Sequence, residues 1–177
     1  MKRLLYFEYI HPINDYFRTI KLNELIFEWV LPFVISAPIY KYILPDLEGA
    51  HIGTVCGYII NFLAILIGFS VTCLTILSSA SSESIDKLKQ KESHRSLHNK
   101  KISLYHLIVI NFIFLLVMEF FNLFFNLGFF LFSSKISNIG FLPEFFSVSI
   151  FITCHVIFLN IRNVTNFYLV FSRVPEE

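Results

Sequence analysis

Four long apolar blocks predict an all-α integral membrane protein of four transmembrane helices, the second and third extended into a cytoplasmic hairpin. Three observations carry that prediction. Hydrophobic residues make up 55% of the 177 positions and charged residues only 15%, against roughly a quarter charged in soluble domains. The apolar residues, 22 Phe among them, fall in long uncharged runs rather than in alternation. The basic residues are distributed one-sidedly: with four spans, every Lys and Arg except Lys41 and Lys135 falls on the side holding both termini and residues 83–103. The positive-inside rule puts that side in the cytoplasm, so a multi-pass protein of a bacterial inner (cell) membrane is expected, with N and C termini cytoplasmic.

Residues 1–24 mix Tyr, Phe and Ile with Lys2, Arg3, Glu8, Asp15, Arg18 and Lys21. They suit either an interfacial segment at the headgroup boundary or a tail docked on the bundle, and Pro12 is expected to split them. Glu8, His11, Pro12, Asn14 and Asp15 interrupt any h-region, so no cleavable signal peptide is expected. The first span is expected at about 25–44, with Glu28 near its cytoplasmic end. Pro32 and Pro38 predict kinks, and a helix so interrupted needs neighbours to satisfy the carbonyls that proline leaves free.

The second span, about 52–82, is ~45 Å long at 1.5 Å per residue, more than a bilayer core requires. It is therefore expected to leave the membrane as a continuous helix into a basic hairpin at 83–101. There Lys87, Lys89, Lys91, Arg95, Lys100 and Lys101 outnumber Glu83, Asp86 and Glu92, and Ile85, Leu88 and Leu97 supply apolar surface to pair two helical arms. The third span, about 102–132, spaces Asn111, Asn122 and Asn126 through a Phe-rich run and places Glu119 near its middle. The fourth, about 143–170, carries His155, Asn160, Arg162, Asn163 and Asn166 in its inner half, polar enough to demand partners within the bundle. No repeat or linker divides residues 1–177, which read as one membrane domain.

The second span also carries a ruled line of small and polar residues: Gly53, Gly57, Asn61, Ala64, Gly68, Thr72, Thr75, Ser79 and Ser82. Spacings of three and four put them on one helix face. Two readings stay open for Asn61, Gly68, Thr72, Thr75 and Ser79: close packing against another helix, or the lining of a pore completed by further copies. Glu119, His155 and Arg162 form an intramembrane polar set. Rise per residue puts Glu119 and His155 at similar depth, with Arg162 about two turns nearer the cytoplasm and able to reach either Glu119 or, by snorkelling, the interface. They read as a gate or as an interhelical packing pair. The basic residues Lys87, Lys89, Lys91, Arg95, Lys100 and Lys101 read as a binding face for a soluble cytoplasmic partner, a nucleotide or nucleic-acid signal or anionic headgroups, or as a solvated hairpin.

Catalysis is not expected. His94 and His98 begin a metal pattern that no third ligand completes, and no nucleophile–base order, phosphate loop or carboxylate pair is present. Cys56, Cys73 and Cys154 read as packing residues within apolar runs. No cofactor or metal is expected. Asn163-Val164-Thr165 matches a glycosylation acceptor but falls at lipid depth on the cytoplasmic half.

The run Leu63-Ala64-Ile65-Leu66-Ile67-Gly68-Phe69-Ser70-Val71-Thr72, followed by a Lys-rich hairpin and a Phe-rich third span, resembles the small four-helix membrane proteins of prokaryotic antiphage operons, those of Hailong-type and Kiwa-type systems. The resemblance implies a homo-oligomer, a tetramer, working with a cytoplasmic partner. In the Hailong-like case it implies a gated channel effector held by a nucleotide signal; in the Kiwa-like case, a membrane sensor that recruits a DNA-binding protein.

Overall fold

The computed structural model describes residues 10–42, 49–79, 83–97, 100–136 and 142–172. The expected interfacial residues 1–9, the loop at 43–48, the junction at 80–82, His98, and the tail from 173 lie outside the described residues. Four helices are long and apolar enough to cross a membrane: Leu22–Tyr42, His51–Ser79, Leu104–Phe132 and Phe146–Leu169. The expected four-span membrane architecture is thereby met.

Helix α1, Ile10–Thr19, precedes the first span and buries Tyr16 and Thr19. Pro12 lies in its first turn, where the missing N–H has no intrahelical acceptor, and the residues before Ile10 that it is expected to divide off lie outside the described residues. The first span is built in three pieces: α2, Leu22–Leu25; a π-helical turn, Ile26–Val30; and α3, Leu31–Tyr42. The π-turn has a sequence cause. Pro32 cannot donate to the carbonyl of Glu28, four residues earlier, and its ring crowds that carbonyl. Widening the turn moves the carbonyl aside, and the Leu31 N–H bonds to the Ile26 carbonyl instead. The Glu28 carbonyl then accepts a hydrogen bond from His155 Nδ1, 2.5 Å away on the last helix. Because a carbonyl only accepts, Nδ1 carries the hydrogen. This is the neighbour that Pro32 demanded.

Helix α4 is Gly49–Ser79, α6 is Leu104–Ile136 and α7 is Leu142–Ser172. They pack in sequence, α4 on α6, α6 on α7, and α7 on the first span, while α1 lies against α6. The inner pair, α6 and α7, is the more buried, and Leu63, Phe112, Phe114, Leu115, Val156 and Leu159 form the centre of the apolar core. Lipid-like surroundings give little hydrophobic drive for helices to meet, so polar contacts specify which faces pair. Between α6 and α7 these form an antiparallel zipper. Asn126 Oδ1 accepts from Ser149 Oγ at 2.7 Å, and Asn122 Nδ2 donates to Thr153 Oγ1 at 2.9 Å. Nearer the chain's hairpin, Asn160 Nδ2 donates to Glu119 Oε1 at 2.9 Å and Asn163 Nδ2 to the Asn111 carbonyl at 3.2 Å. That last bond engages the amide nitrogen of the glycosylation-like triplet.

The hairpin differs from the expected two helical arms. Only α5, Glu83–Gln90, is helical; β1, Glu92–Leu97, and β2, Lys100–Ser103, pair antiparallel, with Leu97 opposite Lys100 and Ser96 opposite Lys101. The cause is local. Ser93 Oγ accepts from the Arg95 backbone N–H at 3.1 Å, which competes with helical bonding and coincides with a register irregularity between Glu92 and Ser96. His94 is therefore on a strand, and the helical spacing that would have paired it with His98 does not apply. Ile85 and Leu88 of α5 and Ile102 of β2 are buried.

The proline–histidine arrangement gives a double-variant test. His155→Phe should lower stability by ~1–3 kcal/mol, the cost of leaving a buried acceptor unsatisfied. Pro32→Ala in the same chain restores a backbone donor and should recover part of that loss. Thermal unfolding in detergent measures both, and an additive double variant would reject the coupling.

Candidate functional site: a buried charge ladder

The intramembrane polar set expected from the sequence separates into two sites. His155 and Arg162 are seven residues apart, close to two helical turns, so they share one face of α7. That face meets the first span. Asn160 and Asn163 lie on a different face, which meets α6. Depth along the helix puts Glu119 near both groups, but the face decides, and Arg162 does not pair with Glu119.

Arg162 instead reaches Glu28, whose side chain is fully buried, with Nη1 2.5 Å from Oε1. The same Nη1 is 3.7 Å from Glu24 Oε2. Glu24 is one turn before Glu28, so both carboxylates point toward α7. Glu24 also caps α2, accepting from the Lys21 backbone N–H at 3.0 Å. Its Oε1 meets Arg95 Nη2 at 2.5 Å, and Arg95 Nη1 donates to the Thr19 carbonyl at 2.6 Å. Arg95–Glu24–Arg162–Glu28 is thus a ladder of alternating charge. It runs from strand β1, across the end of the first span, to the buried face of α7, and its two cations balance its two anions.

Tyr16 closes the inner end. Its hydroxyl donates to Glu28 Oε2, its ring stacks on Phe114 at 3.5 Å with 5° between planes, and the Arg162 guanidinium carbon lies 5.6 Å from its ring centroid. Burial, reinforced by the adjoining Glu28 carboxylate, pushes the Tyr16 hydroxyl far above the usual tyrosine range. The rings of Trp29 and His155 are 4.2 Å apart on the other side. Desolvation makes such a cluster costly unless each charge keeps its partner, so the ladder behaves as a unit.

Glu119 forms the second site. It is fully buried between three helices, and its Oε1 accepts from Ser70 Oγ at 3.0 Å and from Asn160 Nδ2 at 2.9 Å. No cation pairs with it among the described residues.

The small-polar line of α4 divides in two. Gly57 faces α6, where a Cβ would lie 3.7 Å from the Phe130 ring. Asn61, Gly68, Thr72, Thr75 and Ser79 face away from the bundle, and nothing lies within 4 Å of a Cβ built at Gly68. Thr72 and Thr75 donate to carbonyls one turn back, Gly68 and Val71, at 2.8 Å each. Their donors are thereby satisfied, while their lone pairs face outward.

The hairpin cations are not equivalent. Lys87 pairs with Glu83 at 3.0 Å, Lys89 with Asp86 at 3.5 Å and Lys101 with Glu92 at 3.0 Å, all at exposed positions. Lys91 and Lys100 are exposed without an ion pair among the described residues. Arg95 is turned inward, 13% exposed, and belongs to the ladder rather than to an outer binding face. Among the described residues no three potential metal ligands converge, and Cys56, Cys73 and Cys154 are free thiols.

Tyr16, Glu24, Glu28 and Ser70 were not expected site residues. The signal for the two glutamates is present in the sequence: they stand one turn apart on the one span with an acidic residue near its basic end. Compared with family models, curated proteins and solved structures, the chain finds no match.

Removing one partner of a buried pair costs more than removing both. Arg162→Met should therefore destabilise by ~3–5 kcal/mol, and Glu28→Gln in the same chain should recover much of it. Equal loss in the single and double variants, read by thermal unfolding in detergent, would argue against direct pairing. The Tyr16 hydroxyl supplies a pH test. An unfolded tyrosine releases its proton near pH ~10, whereas folded Tyr16 holds it. Stability should be unaffected by this group below about pH 10 and fall above it, because the unfolded chain then binds fewer protons. Tyr16→Phe should flatten that alkaline fall in unfolding temperature.

Proposed function

We propose that the protein is a homo-oligomeric membrane channel or permeabilising effector gated through its basic hairpin. One observation carries this reading: the face of Asn61, Gly68, Thr72, Thr75 and Ser79 is left unpartnered by the chain's own bundle. Several copies turned inward, four in the arrangement we favour, would surround an axis with small and hydroxylic side chains. A channel axis of this kind needs rotational symmetry and a wet face, and outward lone pairs on Thr72 and Thr75 supply acceptors for water. No charge lies on this face, so selection by charge would have to come from elsewhere.

The ladder supports the gating half of the proposal. Arg95 belongs to the ribbon that Lys91 flanks and that carries Lys100, and the ladder it begins ends on the fully buried Glu28. A cytoplasmic partner, or a nucleotide or nucleic-acid signal, drawn to those lysines would shift β1 and thereby pull on Glu24, Arg162 and Glu28 in turn. With the basic end cytoplasmic, as the positive-inside rule gives, this conveys an internal event to the membrane. A role in antiphage defence rests on the layout resemblance alone. The second reading is a non-conducting sensor or scaffold that recruits a soluble effector to the same hairpin, and it is favoured by the intrahelical bonding of the Thr72 and Thr75 hydroxyls, which lets the α4 face rest against lipid or another helix without water.

Expression of the wild-type chain, with its trigger, should depolarise cells as read by a potential-sensitive dye. Thr72→Leu together with Thr75→Leu, both at exposed positions where folding is little affected, should abolish the signal. Undiminished depolarisation would remove this face from the mechanism, and no depolarisation by the wild type would favour the scaffold.

A further inference from the structure

Glu119 lies in the interior of the membrane-spanning bundle with its side chain fully buried. Its two oxygens are treated differently. Oε1 accepts two hydrogen bonds, from Ser70 on α4 and Asn160 on α7, whereas Oε2 is buried without a partner. An ionised carboxylate spreads its charge over both oxygens and would leave half of it against hydrocarbon. A carboxylic acid fits the asymmetry: its carbonyl oxygen takes two donors and its other oxygen carries a hydrogen.

The surrounding charges do not alter this balance. On α4 the facing group is Ser70, and the buried Cys73 thiol nearby is not bonded to the acid. On α7, Asn160 faces Glu119 while Arg162 and His155 are committed to Glu28. The acids and bases of the first span and α1, namely Glu24, Glu28 and Tyr16, belong to the ladder. The titratable His106 of α6 lies several turns away at the exposed hairpin end. The two fully buried glutamates therefore contrast: Glu28 has a cation and Glu119 has none among the described residues.

We infer that Glu119 is a proton-binding site set between α4, α6 and α7, occupied in neutral water. Because the site joins α4 to the inner pair through Ser70, loss of the proton places an uncompensated charge at that three-helix contact. The inference stands apart from the channel reading, since neither measurement below records conductance.

Infrared spectra of the full chain in lipid vesicles test it, comparing wild type with Glu119→Gln near neutral pH. Gln retains an acceptor for both donors and so preserves the fold. The expected difference is loss of one carboxylic-acid carbonyl stretch. Loss of a carboxylate stretch instead, or an acid band in choline medium that sodium replaces with a carboxylate band, would overturn the proposal, the latter by making the site a cation site. A second measurement needs no variant. An apolar carbodiimide adds only to a protonated acid: the carboxyl oxygen bonds to the central carbon, its proton moves to one nitrogen, and the acyl group then shifts to the other nitrogen with nothing lost. Peptide mass spectrometry should find that adduct on Glu119 and not on Glu28. The reverse pattern would reject the assignment.

Discussion

The contact between Arg162 and Glu28 is the constraint on which most of the remaining arrangement depends. An arginine on the fourth span has no tolerable position in apolar surroundings without a counter-charge, and the first span supplies one. Satisfying it fixes which face of α7 meets the first span. The perpendicular consequence is that Asn160 and Asn163 turn to α6, where Glu119 and the Asn111 carbonyl receive them. One ion pair thus orients a helix whose other side completes a hydrogen-bonded zipper. Tyr16 and Glu24 extend the same contact to neighbouring elements, so α1 and the β-ribbon are held by the charge that orients the bundle.

The division between inner and outer helices follows. Helices α6 and α7 share polar contacts along their length and form the centre. Helix α4 attaches to that centre through Ser70 and apolar side chains and keeps its small-polar face outside. A single chain thus has a well-specified interior and one face whose composition exceeds what contact with lipid tails requires. The exposed Asn61 carboxamide is the clearest instance, since hydrocarbon offers it no partner.

Four spans, and their approximate limits, were legible because length and hydropathy alone determine what can cross a bilayer. The need for a partner at the first span's prolines was legible too, from the missing donor of Pro32. Which residue answers was not: His155 is far away in sequence, and depth arithmetic put it beside Glu119. That arithmetic omits rotation about the helix axis, which sets the partners of Glu119, His155 and Arg162. The ribbon was misread because Ile85, Leu88 and Leu97 suggested apolar surface for two paired helical arms, while the Ser93 hydroxyl that competes with helix acts through a short-range bond to the backbone. Arg95 looked like one more surface cation; only the fold reveals the acid waiting beneath it.

The dependence of the Glu28 carbonyl on His155 also bears on biosynthesis. Spans emerge from the ribosome in order, and the first carries an unfilled carbonyl and two acidic side chains from the moment it enters the membrane. Two of their partners, His155 and Arg162, lie on the fourth span and are made only after the second and third spans. Until then the first span is an unsettled guest, and the fourth span is what makes it at home.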